Sequence, residues 1–160
     1  WIFDKVKFTT LRLIVLALAT LPGIFSIVTL HPYQYVYYNS FVGGTQGAYE
    51  NYELDYWATS YRELALFLNE TAPQDANVVI RGSVGTYRPY SRPDINLFDT
   101  SDANRLKERE NIALDYAVIF NRRNLLQDSC RSAETIKSIE RDGAILAVLK
   151  KIRPGQVDCP

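Results

Sequence analysis

Few of the side chains in this sequence that could do chemistry are grouped closely. Glu53 and Asp55 stand two residues apart in a tyrosine-rich stretch. Carboxylate pairs can divide general acid and base work, but this spacing alone does not make an acid–base pair. Arg81, Arg88 and Arg92 surround the loop SVGTYRPYSRPD, which also holds Gly85, Pro89 and Pro93. Three guanidiniums around such a turn can hold a phosphate or a carboxylate. The spacing matches neither a P-loop nor a dinucleotide fingerprint, and the alternative is solvated arginines paired with Asp94 or Asp99. His31 is the only histidine, and it directly precedes Pro32. It is a candidate proton carrier or headgroup ligand, or simply an interfacial residue. Cys130 and Cys159 are the only cysteines. A bridge between them would tie down the tail and add about 3 kcal/mol; two free thiols are the alternative. With one histidine and no CxxC, a metal site is not expected. There is no nucleophile elbow, HExxH, Walker loop or Ser/His/Asp set, so the residues alone assign no active site.

These residues hang on one run, Leu13 to Leu30, LIVLALATLPGIFSIVTL, which carries no charge over eighteen positions. As a helix it would be about 27 Å long, close to the ~30 Å hydrocarbon core of a bilayer. Thr20, Ser26 and Thr29 can bond their own helix backbone, and Pro22-Gly23 is tolerated in a membrane span. A buried core helix or a signal-peptide core is the competing reading, but Thr29-Leu30-His31-Pro32 is no cleavage site. We therefore expect a transmembrane helix and a lipid bilayer as partner. Lys5, Lys7 and Arg12 precede the run, and no Lys or Arg follows it until Arg62. The positive-inside bias then puts residues 1–12 in the cytoplasm and residues 31–160 on the far side, where disulfides persist. Residues 31–160 hold fifteen Lys/Arg against seventeen Asp/Glu, so nothing suggests nucleic acid. The chain begins at Trp1 and contains no Met, which reads as a fragment or a processed product.

The expected organisation has three parts: a cytoplasmic stub and span (1–30), an aromatic membrane-surface segment (31–60), and a soluble α/β domain (61–160). Ten of the twenty aromatic residues fall between Tyr33 and Tyr61. Tyr and Trp favour the membrane–water boundary, so this stretch reads as a collar, or as a rim where aromatic faces stack on a sugar or a lipid-linked headgroup. Gly43-Gly44 and Gly47 predict a flexible turn. Ser60 to Glu63 fits a capping box, with Asp55 or Thr59 as alternative caps, and starts a helix that ends at Thr71-Ala72-Pro73. Trp57, Tyr61, Leu64 and Leu68 are expected on its buried face. Asn69-Glu70-Thr71 matches a glycosylation sequon of little weight. Strands are predicted at 77–82, 95–98 and 116–120, and a polar helix from Ser101 to about Asn111. A hairpin turning at Asp142-Gly143 follows, with Thr135–Glu140 alternatively helical. Crossovers between the first three strands favour parallel pairing. The fold class is thus α/β: an N-terminal transmembrane helix, then a small domain with a mostly parallel sheet and a C-terminal β-hairpin.

One longer pattern goes further. The apolar span runs into His31-Pro32-Tyr33, Tyr37-Tyr38-Asn39, Gly43-Gly44, Ala48, Asp55-Tyr56-Trp57 and Ser60-Tyr61-Arg62-Glu63. A VVI strand, the RPYSRPD loop, DYAVIF followed by Asn121-Arg122-Arg123, and ERDGAILAVLKKI come after it. Over most of residues 11–160 this resembles the end of polytopic GT-C glycosyltransferases, relatives of the dolichyl-phosphate-mannose–protein mannosyltransferases. The resemblance implies transfer of a sugar from a polyprenyl-phosphate donor to an acceptor at the non-cytoplasmic face. It also implies further transmembrane helices as partners and a multi-pass cell-membrane location. The family's catalytic carboxylate lies in an early loop outside this stretch, so no catalytic residue is carried over. A divalent metal serves some full-length members; none is expected in this part. His31, Tyr33 and Asn39 would sit at the membrane surface near the carrier's phosphate.

Overall fold

A computed structural model describes residues 2–49, 51–102, 113–122, 125–128, 130–154 and 159. Helix α1 runs from Ile2 to Thr29. The helix therefore begins at the chain's N-terminal end, so the expected stub 2–10 is helical. Over Lys7–Thr29 α1 is long and apolar enough to cross a membrane, with a mean hydropathy of 2.2 and none of its apolar window buried. The hydroxyls behave as a low-dielectric setting requires. Thr20 Oγ1 donates to the Leu16 carbonyl at 2.9 Å, Ser26 Oγ to Pro22 at 2.9 Å and Thr29 Oγ1 to Ser26 at 3.2 Å.

The domain is built on a five-stranded mixed sheet. Its strands are β1 (Asn77–Arg81), β2 (Asn96–Asp99), β3 (Tyr116–Phe120), β4 (Glu134–Arg141) and β5 (Ala144–Lys151). Their order is β2-β1-β3-β5-β4. β1 pairs parallel with β2 and with β3, and the antiparallel β4–β5 hairpin joins through β5 to β3. The expected parallel half and closing hairpin are both present. Asp142 and Gly143 both take positive φ, +49° and +74°, the condition a tight two-residue hairpin turn imposes. Thr135–Glu140 lies in strand β4, so its helical alternative is excluded. β3 is central and every residue in it is buried, as a strand covered on both faces must be. The helix predicted from Ser101 to Asn111 lies largely outside the described residues. At its start, Asp99 Oδ1 accepts from Ser101 Oγ (2.7 Å) and Asp102 N (2.8 Å).

Side-chain alternation splits the core in two. Val78, Ile80, Tyr116, Val118 and Phe120 face one layer. Val79, Ala117 and Ile119 face the other, where Cys130 and Cys159 are also buried. The first layer is covered by helix α3 (Tyr61–Thr71), through Tyr61, Leu64, Ala65 and Leu68. It is also covered by Tyr33, Val36, Ala48, Leu54 and Ala58. Residues 31–60 thus contribute side chains to the same core as residues 61–160. A tyrosine ring is apolar enough to fill a core once its hydroxyl finds a partner. Tyr33 does so, donating to Glu63 Oε1 at 2.7 Å beneath the Arg141 guanidinium, 4.5 Å from the ring centroid.

The expected capping box does not form. Ser60 makes no side-chain cap, and Glu63 pairs with Tyr33 and Arg141 (2.8 Å). Asp55, the alternative, does not cap α3 either: its carboxylate accepts from Thr59 N (3.0 Å) and Ser60 N (3.4 Å) in the turn before the helix. Trp57 is not on the buried face of α3; it precedes the helix and is 70% exposed. Nor are the glycines a loose turn. Residues 40–42 form a 3-10 turn, and Gly44–Ala48 form the short helix α2. A Cβ at Gly47 would collide with the Val42 carbonyl oxygen.

Candidate functional site

A cavity with chemical potential lies where β1 and β3 end. Parallel strands point their carboxyl ends to one edge of the sheet, and the crevice outside that edge is where open α/β sheets bind ligands. Here β1 ends at Arg81 and leads through Gly82 and Ser83 into helix α4 (Val84–Tyr87); β3 ends at Phe120 and leads to Arg122. The turn Tyr56–Ala58 closes the third side. Together they line a cavity of about 460 Å³ with Tyr56, Trp57, Gly82, Ser83, Thr86 and Arg122. That is within the usual range for a small-molecule site.

Each wall has a local cause. Asp55 fixes the Tyr56–Trp57 turn. Besides the two backbone N–H groups, its carboxylate accepts from the Ser60 and Tyr35 hydroxyls. Asp55 is fully buried, and that burial pushes its carboxyl above the ordinary carboxylate range, although the Ser60 and Tyr35 hydrogen bonds oppose the shift. Burial also raises the Tyr35 phenol, with the neighbouring Asp55 charge adding to it. Gly82 is required by close approach: a Cβ there would lie 2.6 Å from both Phe120 Cε1 and the Tyr61 hydroxyl. Tyr61 and Phe120 stack edge to face at 5.3 Å, and Tyr61 O–H donates to the Arg81 carbonyl at 3.3 Å.

Arg122 supplies the charge. Its guanidinium lies 4.2 Å from the Tyr56 ring centroid, and its Nε lies 3.5 Å from Glu53 Oε2. The buried Nε has no hydrogen-bond partner among the described residues. A planar donor backed by an aromatic ring, beside two hydroxyls and an exposed indole, suits a polyhydroxylated ligand. The C–H faces of such a ligand would meet the negative face of the indole, and its hydroxyls or an anionic substituent would meet Arg122, Ser83 and Thr86.

The residues singled out from sequence lie elsewhere. His31 is exposed just beyond α1, with Nδ1 2.8 Å from Gln34 Nε2. Tyr33 is 1% exposed, so it presents no surface to a carrier phosphate. Asn39 caps the 3-10 turn, accepting from Phe41 N at 3.0 Å. Arg92 does not hold an anion cradle. It grips Asp94 through Nε (2.6 Å) and Nη2 (2.8 Å), and donates to the Ala72 and Pro73 carbonyls at the end of α3 (3.2 and 3.1 Å). It therefore lies at the amino end of β1, about 16 Å along the strand from the crevice. Arg88 is exposed and does not line the crevice. The three arginines thus form no shared site. The sequon's Asn69 is engaged too, donating to the Tyr90 carbonyl (2.8 Å) and accepting from Arg92 N (2.8 Å). Cys130 and Cys159 are disulfide-bonded, with Cα atoms 4.5 Å apart. Among the described residues no group of three or more His, Cys, Asp or Glu converges on a metal-sized site.

Tyr56-Trp57 and Asn121-Arg122 stand out in the sequence, but nothing local joins them to each other or to Ser83 and Thr86. The available signal was the pattern of buried strands each followed by a Gly/Ser or polar turn, which marks a carboxyl-edge crevice. No known protein family, curated protein or solved structure matches this chain.

Proposed function

We propose that the chain is the carboxy-terminal part of an integral membrane glycosyltransferase. It would move a sugar from a polyprenyl-phosphate donor to an acceptor at the non-cytoplasmic face, with its catalytic carboxylate elsewhere in the full-length enzyme. In this reading α1 is the last of several spans, residues 31–160 are extracytoplasmic, and the carboxyl-edge crevice receives a sugar. The observation that carries the reading is the exposed Trp57 indole sharing one crevice with Arg122, Ser83 and Thr86. The Cys130–Cys159 disulfide and the cations ahead of the uncharged run Leu13–Leu30 support the orientation.

The test is sugar transfer by membranes carrying the full-length protein, supplied with polyprenyl-phosphate-linked radiolabelled mannose. Transfer that falls when Trp57 or Arg122 becomes Ala, at unchanged protein level, supports the reading; no transfer from any polyprenyl-phosphate sugar removes it. One observation favours a second reading, a single-span protein whose outer domain binds a ligand without catalysis. Among the described residues, the crevice lining includes no carboxylate or imidazole, the groups acid–base catalysis uses most. Glycan binding dependent on Trp57 in a protein with no transferase activity would establish it.

A further inference from the structure

The segment that follows α1 folds back along it. Ser40, Gly43 and Gly44 line a groove of about 400 Å³ with Pro22, Phe25 and Ser26 of the helix. Pro22 lies seven residues before Thr29, about 10 Å back along the axis at 1.5 Å per residue. The uncharged run that ends at Leu30 nearly fills a hydrocarbon core. If α1 spans a bilayer in that register, the loop beside its last two turns cannot stand clear of the lipid boundary.

The loop is suited to that place. From His31 to Tyr49 there is no Asp, Glu, Lys or Arg. Phe41 at its tip is 98% exposed, and Tyr37 is 43% exposed. Part of its backbone is satisfied from within, which lowers the cost of immersion. The Asn39 carbonyl accepts from Val42 N (3.2 Å) and Gly44 N (3.0 Å), Ser40 O from Gly43 N (3.1 Å), and Gly43 O from Gly47 N (3.0 Å). Asn39 Oδ1 takes the Phe41 N–H, and Thr45 Oγ1 donates to the Val36 carbonyl at 3.2 Å. The exposed Asp142 on the hairpin turn also lines the groove and marks where the charged surface begins. It limits immersion to the tip.

We propose that residues 37–44 form a membrane wedge: Phe41 enters the lipid boundary beside the carboxy-terminal turns of α1 and sets how the domain stands on the bilayer. The proposal rests on reading α1 as a span but not on any transferase activity. The test uses the full chain reconstituted in phosphatidylcholine vesicles, with nitroxides on F41C, L18C or E70C; the two native cysteines are paired. Collision with oxygen, which concentrates in lipid, is compared with collision with a water-soluble nickel chelate. The expected result is oxygen-favoured relaxation at positions 41 and 18 and nickel-favoured relaxation at 70. Nickel-favoured relaxation at 41 with oxygen-favoured at 18 overturns the wedge and keeps the span. Nickel-favoured relaxation at 18 overturns both. Phe41 is fully exposed, so its replacement leaves the core intact, which near-ultraviolet circular dichroism checks.

Discussion

Replacing Asp55 tests whether the crevice is held by one buried carboxylate. Asp55→Ala removes the acceptor for four donors: Thr59 N, Ser60 N, Ser60 Oγ and Tyr35 O–H. Thr59 and Tyr35 are exposed enough for water to replace the lost bond, but Ser60 is fully buried. Two buried donors are stranded at about 1–3 kcal/mol each. Removing a buried charge returns part of that, so the net loss should be about 3 kcal/mol. Asp55→Asn keeps one acceptor oxygen and should lose about half as much. The assay is urea unfolding of the full chain in detergent micelles at pH 7, followed by tryptophan emission, since Trp57 lies two residues from the substitution. The pH dependence has a definite sign. The folded carboxyl lies above its ordinary 3.8, so the folded state binds the proton more tightly than the unfolded chain. The stability Asp55 contributes is fully present below about pH 3.8 and is lost as pH rises through the folded value. The gap between native protein and Asp55→Ala should therefore widen on acidification from pH 7. A variant within 0.5 kcal/mol of native at pH 7, with unchanged tryptophan emission, would refute the reasoning.

The other expectations are simpler to state. Arg92→Ala should lower the thermal midpoint by releasing the end of α3, and Arg92→Lys should not restore it, because one ammonium cannot reproduce a forked guanidinium; under the proposed function, glycan binding at the crevice should not change. Gly82→Ala should cost about 1–3 kcal/mol in urea titrations, because the Tyr61 and Phe120 rings leave no room for a methyl group; crevice binding should fall with it. Tyr33→Phe should cost about 1 kcal/mol through the lost bond to Glu63; under the proposed function it should leave sugar transfer unaltered, whereas a carrier-phosphate contact at Tyr33 would lower transfer. Reduction of the Cys130–Cys159 bridge, which joins residues 29 apart, should lower stability by about 3–4 kcal/mol in matched titrations with and without reductant.

Local signals carried much of the architecture. An uncharged eighteen-residue run, a central strand with no charged residue, and Asp-Gly between two apolar stretches are each strong within a short window, and they became a long apolar helix, a buried strand and a hairpin turn. The aromatic segment shows where such signals stop. Tyrosine is compatible with a lipid boundary and with a core, and composition does not separate the two. Tyr33 was settled by Glu63 and Arg141, thirty and more than a hundred residues away in the chain, while Phe41 in the same stretch remained outside. Arg92 shows the same limit: beside Arg88 it reads as an anion site, but the arrival of the α3 carbonyls turned it into a clamp. The crevice itself required three separate chain segments, 56–58, 82–86 and 120–122, to meet at one edge of the sheet. Sequence by itself determined which segments are apolar, helical or extended, because those preferences act over a few residues. Only the tertiary structure decided which polar side chains meet and which aromatics stay exposed, because those outcomes depend on strand order and on partners distant in the chain.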